Sequence, residues 1–141
     1  MKKLALIALC ITSLFGCKGE HPINPESLLH HRYQLLSVDN KNRFVGDNDT
    51  KPFIEFNENF YINGSMCHQF IGVATFKGNT IKASITPLPK LGEYCTDRPT
   101  IELYENLNSL LTGGAKIDLK DNILTLKSKE HVFVYELRDL M

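Results

Sequence analysis

The stretch Cys67-His68-Gln69-Phe70-Ile71-Gly72-Val73-Ala74-Thr75-Phe76-Lys77-Gly78-Asn79-Thr80-Ile81-Lys82-Ala83-Ser84-Ile85 decides the fold. It is mostly apolar as far as Phe76, turns at Gly78-Asn79, and alternates apolar with polar from Thr80 to Ile85. Two strands joined by so short a turn form an antiparallel hairpin, because parallel pairing needs a long crossover. The rest of the domain is expected to extend this hairpin into a meander.

Upstream, Phe53-Ile54-Glu55-Phe56 is a compact strand, and Asn57-Glu58-Asn59 is a turn. Phe60-Tyr61-Ile62 extends again as far as Asn63-Gly64, which reads as a further turn. A first strand spans Arg32–Val38 with Tyr33, Leu35 and Leu36, and a polar loop over 39–51 is closed by Pro52. Downstream, Pro87 and Pro89 are expected to break the sheet. Asp97 and Pro99 suit the cap and first turn of a helix. Ile101, Tyr104, Leu107, Leu110 and Leu111 give it one apolar stripe, and Gly113-Gly114 ends it. Ala115–Leu119 alternates, Asp121-Asn122 turns, and Ile123–Lys127 returns. The last strand, Val132–Leu137, is apolar on both faces over its middle and is expected to be covered on both sides. The fold class is α+β, mainly antiparallel: a curled β-meander with one packed helix.

The N-terminus carries an address. Lys2 and Lys3 precede an apolar run from Leu4 to Phe15, about a dozen residues and too short to span a bilayer, which needs roughly 20. Leu14-Phe15-Gly16-Cys17 resembles the lipobox of bacterial lipoproteins. That resemblance implies a signal peptide over residues 1–16 and lipid attachment at Cys17, with an ordinary signal peptide as the alternative. Lys18, standing where aspartate would retain a lipoprotein at the inner membrane, implies the periplasmic face of the outer membrane. Residues 17–26, with Pro22, Asn24 and Pro25, read as a tether, and the domain occupies 27–141.

Of four cysteines, Cys10 falls in the leader and Cys17 at the anchor. Cys67 and Cys95 remain in an oxidising compartment, where one disulfide is the default and two free thiols are the alternative. The chain has 16 basic and 16 acidic residues, and losing the leader removes two lysines. The near-neutral remainder does not point to nucleic acid, and no basic run follows Cys17.

No constellation of residues announces catalysis. His30 and His31 read as surface side chains pointing to opposite faces of a strand, so they do not share a metal. His68 beside Cys67 diverges in the same way. Glu55 and Glu58 beside a turn, and Asp97, Glu102 and Glu105 around the helix start, read as solvated carboxylates. Ser65 and Ser84 lack a nucleophile elbow, and neither a cofactor nor a metal is expected. The apolar surplus in Phe60, Tyr61, Ile62, Phe70, Ile71, Val73 and Phe76 reads as core, as a pocket lining or as an exposed patch.

Gly64-Ser65-Met66-Cys67, followed by Phe70 and Gly72, resembles the cysteine motif of the META domain family. Leu29-His30-His31-Arg32-Tyr33, Gly114 to Leu126 and Tyr135 to Met141 also match it in register. His68 departs from the family's usual asparagine, and Pro87-Leu88-Pro89 from its usual threonine-methionine pattern. The resemblance implies an antiparallel sheet curled into an open, barrel-like shape with a helix packed on it, similar to the lipid-binding pilot proteins of type III secretion. It implies no enzymatic reaction. It implies expression under heat and a role in envelope stress, including tolerance of novobiocin. Together with the lipobox, the expectation is a monomeric, lipid-anchored protein acting through contacts with an unknown envelope protein. The alternative is a carrier holding an acyl chain or other lipophilic ligand inside the barrel.

Overall fold

The computed structural model describes residues 22–42, 51–66, 68–88 and 95–139. Its eight strands are β1 (His31–Val38), β2 (Phe53–Phe56), β3 (Tyr61–Ser65), β4 (Gln69–Lys77), β5 (Thr80–Leu88), β6 (Ala115–Lys120), β7 (Ile123–Lys127) and β8 (Val132–Leu137). Each strand pairs antiparallel with the next, and β8 pairs back onto β1, so the meander is a closed barrel. The open shape expected from the sequence is corrected here: the first strand pairs with the last, and β5 meets β6 at Thr80 and Ile81. Among the described residues one α-helix, α1 (Arg98–Gly113), is present, between β5 and β6 in the chain.

Side-chain alternation fills the barrel. In β5, Ile81, Ala83 and Ile85 are buried while Lys82, Ser84 and Thr86 face solvent. Tyr33, Phe56, Phe70, Phe133 and Tyr135 are all buried to 1 % exposure or less. Leu28, in the 3₁₀ turn Pro25–Leu28 ahead of β1, is fully buried. Ile23, within the segment read as tether, also packs on this core.

The helix forms where the cap residues place it. The Asp97 carboxylate accepts the Thr100 N–H at 3.1 Å, Pro99 stands in the first turn, and Gly114 leaves the helix at φ 92°. Its buried stripe is Leu103, Leu107, Leu110 and Leu111. This corrects the expected stripe, because Ile101 and Tyr104 are only half-buried. Leu103 lies one turn before Leu107 and continues its line, whereas Ile101 and Tyr104 flank it. Asp97→Ala should cost about 1 kcal/mol, read as a lowered chemical-denaturation midpoint with an unchanged slope.

Two local readings fail for tertiary reasons. Asn63-Gly64 is not a turn but lies inside β3. A Cβ on Gly64 would collide with the Phe53 carbonyl and the Phe70 ring, so this glycine serves close packing rather than chain reversal. Pro87 does not break the sheet, because β5 runs on to Leu88 and Pro87 sits opposite Phe70. Pro89 lies outside the described residues. The strand near Phe60 begins at Tyr61, since Phe60 closes a 3₁₀ turn with φ 57°. In β8, Phe133 and Tyr135 are buried, but Val132 and Val134 are only half-covered on the outer face.

The Tyr135 hydroxyl is buried with no hydrogen-bond partner among the described residues. Burial pushes its pKa far up, and burial followed by the Asp139 charge pushes Tyr33 up to about 12. The unfolded chain therefore releases these protons first as pH rises from 10. Stability should be full below pH 10 and fall between about 10 and 12. Tyr135→Phe removes a buried, unpaired hydroxyl, so it should leave stability at neutral pH unchanged or raised by about 1 kcal/mol. It should also flatten the alkaline decline; denaturant melts at pH 7 and pH 11 provide the check.

Candidate functional site

The residues of the expected motif assemble into a packing device. Phe70 points inward from β4 at 1 % exposure, lies over Gly64, and meets the Tyr104 ring of α1 with centroids 6.2 Å apart. Gly72 is equally tight, since a Cβ there would lie 2.5 Å from the Ser84 carbonyl oxygen. His68 is half-buried at the β3–β4 turn, where its carbonyl accepts the Met66 N–H at 3.2 Å. Cys95 is half-buried just ahead of the helix. Cys17 and Cys67 lie outside the described residues.

A polar cleft of about 270 Å³ opens at the barrel end that holds the start of β1, lined by His30, His31, Arg32, Glu55, Asn57 and Asp139 among others. His30 and His31 share this cleft because His30 adopts φ 65° and so is not extended. That corrects the expectation of opposed strand positions. His31 Nδ1 lies 2.8 Å from Asp139 Oδ2, and the other Asp139 oxygen accepts the Arg32 N–H at 3.2 Å.

Glu55 is not simply solvated, which is a second correction. Arg32 is ion-paired to it, and Asn63 Nδ2 donates to it at 2.7 Å. The Arg32 guanidinium also stacks 4.1 Å over the Phe53 ring, and Asn57 donates to Asn63. The other carboxylates behave as expected: Asp97 caps the helix, Glu102 pairs with Arg98 at 3.0 Å, and Glu58 and Glu105 are exposed.

At the far end of the β1–β8 seam the same arrangement recurs. His131 Nδ1 lies 2.9 Å from Asp39 Oδ2, and Asp39 Oδ1 accepts the Val132 N–H at 2.8 Å. The His131 hydrogen bond, ahead of the Val132 N–H, holds the Asp39 carboxyl below its usual range. Each end of the closing seam is thus clasped by a histidine–aspartate pair.

Arg32, Asn57, Asn63, Asp39, His131 and Asp139 were not singled out as site residues. The partners of Arg32, Asp39, His131 and Asp139 lie 23 to 108 residues away, so no local pattern exposes those four. Outward alternation of Arg32 and Glu55 on adjacent strands was the one available clue. Chemically the cleft holds internally matched charges, and among the described residues no serine, threonine or cysteine lines it. Among the described residues, no group of three metal-capable side chains assembles.

The family model described as the META domain matches residues 26–139. The chain belongs to the META domain family. As a META protein it is 33% identical, over 143 residues, to heat shock protein HslJ of Escherichia coli strain K12, covering 100% of this chain and 99% of that relative. A solved NMR structure 33% identical to it superimposes with a TM-score of 0.72, over 84% of this chain and 98% of the other. A second NMR structure, of a Burkholderia xenovorans protein, is 14% identical with a TM-score of 0.62, over 84% and 91% of the two chains. That second likeness concerns the fold alone. The barrel with one helix is therefore the META architecture, and the Gly64–Gly72 motif is part of how it packs.

Proposed function

We propose that this META protein is a non-catalytic lipoprotein, anchored through Cys17 to the periplasmic face of the outer membrane, that supports survival of heat, envelope stress and novobiocin. The observation that carries the reading is the end-to-end likeness to a protein named as a heat shock protein, together with the lipobox-like Leu14-Phe15-Gly16-Cys17. A Cys67–Cys95 bridge belongs to the same reading. Cys95 is disulfide-bonded, and Cys67 is the other cysteine of the domain behind the leader. The domain acts as a monomeric scaffold that contacts an envelope protein.

The packed interior supports a scaffold over a carrier. The aromatic side chains of Tyr33, Phe56, Phe70, Phe133 and Tyr135 occupy the space an acyl chain would need. The charged groups of the cleft at the barrel end are matched by the Arg32–Glu55 and His31–Asp139 pairs, which suits a recognition surface more than a reaction centre.

The test is a deletion strain carrying the wild-type chain, Cys17→Ser, or His31→Ala. Wild type and His31→Ala should both restore growth at high temperature and in novobiocin, and Cys17→Ser should not. Failure of His31→Ala alone would point to chemistry in the cleft. Full rescue by Cys17→Ser would overturn the anchored role.

A further inference from the structure

The outer wall formed by β3, β4 and β5 differs from the rest of the barrel. Four of its side chains are large, apolar and exposed: Tyr61 at 57 %, Val73 at 48 %, Ile71 at 46 % and Leu88 at 41 %. They are contiguous. Tyr61 stands directly opposite Val73, Ile71 lies two residues along β4 on the same face, and Leu88 is diagonal to Ile71 across the β4–β5 pair. Although the chain holds 16 acidic residues, none falls in β3, β4 or β5, whose charged residues are Lys77 and Lys82. Carboxylates on the elements next to the wall include Glu58, in the turn before Tyr61, Glu55, which Arg32 and Asn63 occupy, and Glu102 and Glu105 of α1, the helix packed against β5.

The start of the described chain is fixed beside this wall. The Ile23 N–H donates to Asn79 Oδ1 at 3.0 Å, in the turn that joins β4 to β5. Five residues separate Cys17 from Ile23, so the chain reaches at most about 20 Å from that turn. An anchor on so short a leash holds the wall at high effective concentration near the bilayer, and even weak contacts are then made.

We infer that the β3–β5 wall is a membrane-docking face: Tyr61, Ile71, Val73 and Leu88 enter the headgroup boundary of the anchoring bilayer, and Lys77 and Lys82 meet anionic headgroups. This rests on the Cys17 anchor proposed above. An aromatic ring with an amphipathic edge, aliphatic neighbours and flanking lysines is the composition that settles at a lipid interface. Lysines next to an anionic surface add attraction that salt screens. The barrel would lie on its side, leaving the opposite wall, where Leu36 of β1 stands at 38 % exposure, toward the periplasm.

The chain contains no tryptophan, so a single introduced indole reports its own surroundings. Lipidated full-length Tyr61→Trp and Leu36→Trp proteins are reconstituted in phosphatidylethanolamine–phosphatidylglycerol vesicles containing brominated lipid. The expected result is a blue shift and loss of emission for Tyr61→Trp, and neither for Leu36→Trp. Adding Lys77→Glu and Lys82→Glu, or raising salt, should reduce the quenching. If the mass of the recovered protein confirms lipid on Cys17 and the two indoles are quenched alike, the docking face is wrong while the anchor stands. If Cys17 carries no lipid, the anchor reading fails and this inference falls with it. A Tyr61→Trp blue shift without vesicles, with a dimer in sedimentation, would assign the wall to a second copy and overturn the membrane assignment.

Discussion

Phe70→Ala is expected to destabilise the domain by about 3–5 kcal/mol, the cost of deleting a large buried aromatic from a packed core. Burial and two contacts fail at once. The ring is 1 % exposed, it occupies the space left by the missing Cβ of Gly64, and it touches Tyr104 of α1. Because the helix is attached to the barrel partly through this ring, the loss should include loosened α1 packing and raised amide exchange in Leu103–Leu111. Ile71→Ala provides the contrast. Ile71, next to Phe70 in sequence, points to solvent at 46 % exposure, so its replacement should cost no more than about 0.5 kcal/mol. Gly64→Val should approach the Phe70→Ala loss by the opposite route, forcing the ring out instead of deleting it. Comparable denaturation midpoints for Phe70→Ala and Ile71→Ala would refute the packing role assigned to the motif.

Cys95→Ser should lower stability by roughly 3–4 kcal/mol under oxidising conditions, the chain-entropy value for a loop of this length. Cys95 is disulfide-bonded and stands just ahead of the Asp97 cap, so a bridge to Cys67 would join the start of the helix to the β3–β4 turn. Cys67→Ser should give the same loss, and the double variant no more than either single one, because one bond is removed in all three. A reducing agent should bring the wild type down to the level of the variants. A wild-type melting temperature that does not respond to reductant, or single losses that add, would defeat the pairing.

Much of the fold is local and was legible. The Gly78-Asn79 hairpin, the Asp97 and Pro99 helix entry, the Gly114 exit and the β6–β7 hairpin at Asp121-Asn122 all follow from residues within a few positions of one another. The errors share one cause. Asn63-Gly64 has the composition of a turn, but its glycine answers to Phe70 on the next strand. Pro87 would break an isolated strand, yet here it sits next to the last residue of β5. Leu103 displaced Ile101 from the buried stripe because the rotation of α1 follows the barrel surface it meets, and hydrophobic spacing permits more than one rotation.

The candidate site was less legible for the same reason. Glu55 looked solvated until Arg32 and Asn63, on the two neighbouring strands, closed on it. Asp139 acquired its partners His31 and Arg32 only when β8 paired with β1.

The sequence alone determined the meander, the helix over Arg98–Gly113 and the family motif, because alternation, caps, turn dipeptides and short motifs are written in neighbouring residues. Tertiary structure alone decided that the sheet closes, that histidine–aspartate pairs clasp both ends of the seam, and that one wall carries exposed apolar side chains without a carboxylate. Those properties belong to pairs and faces assembled from distant segments, and closure of β1 on β8 brings together residues about a hundred positions apart.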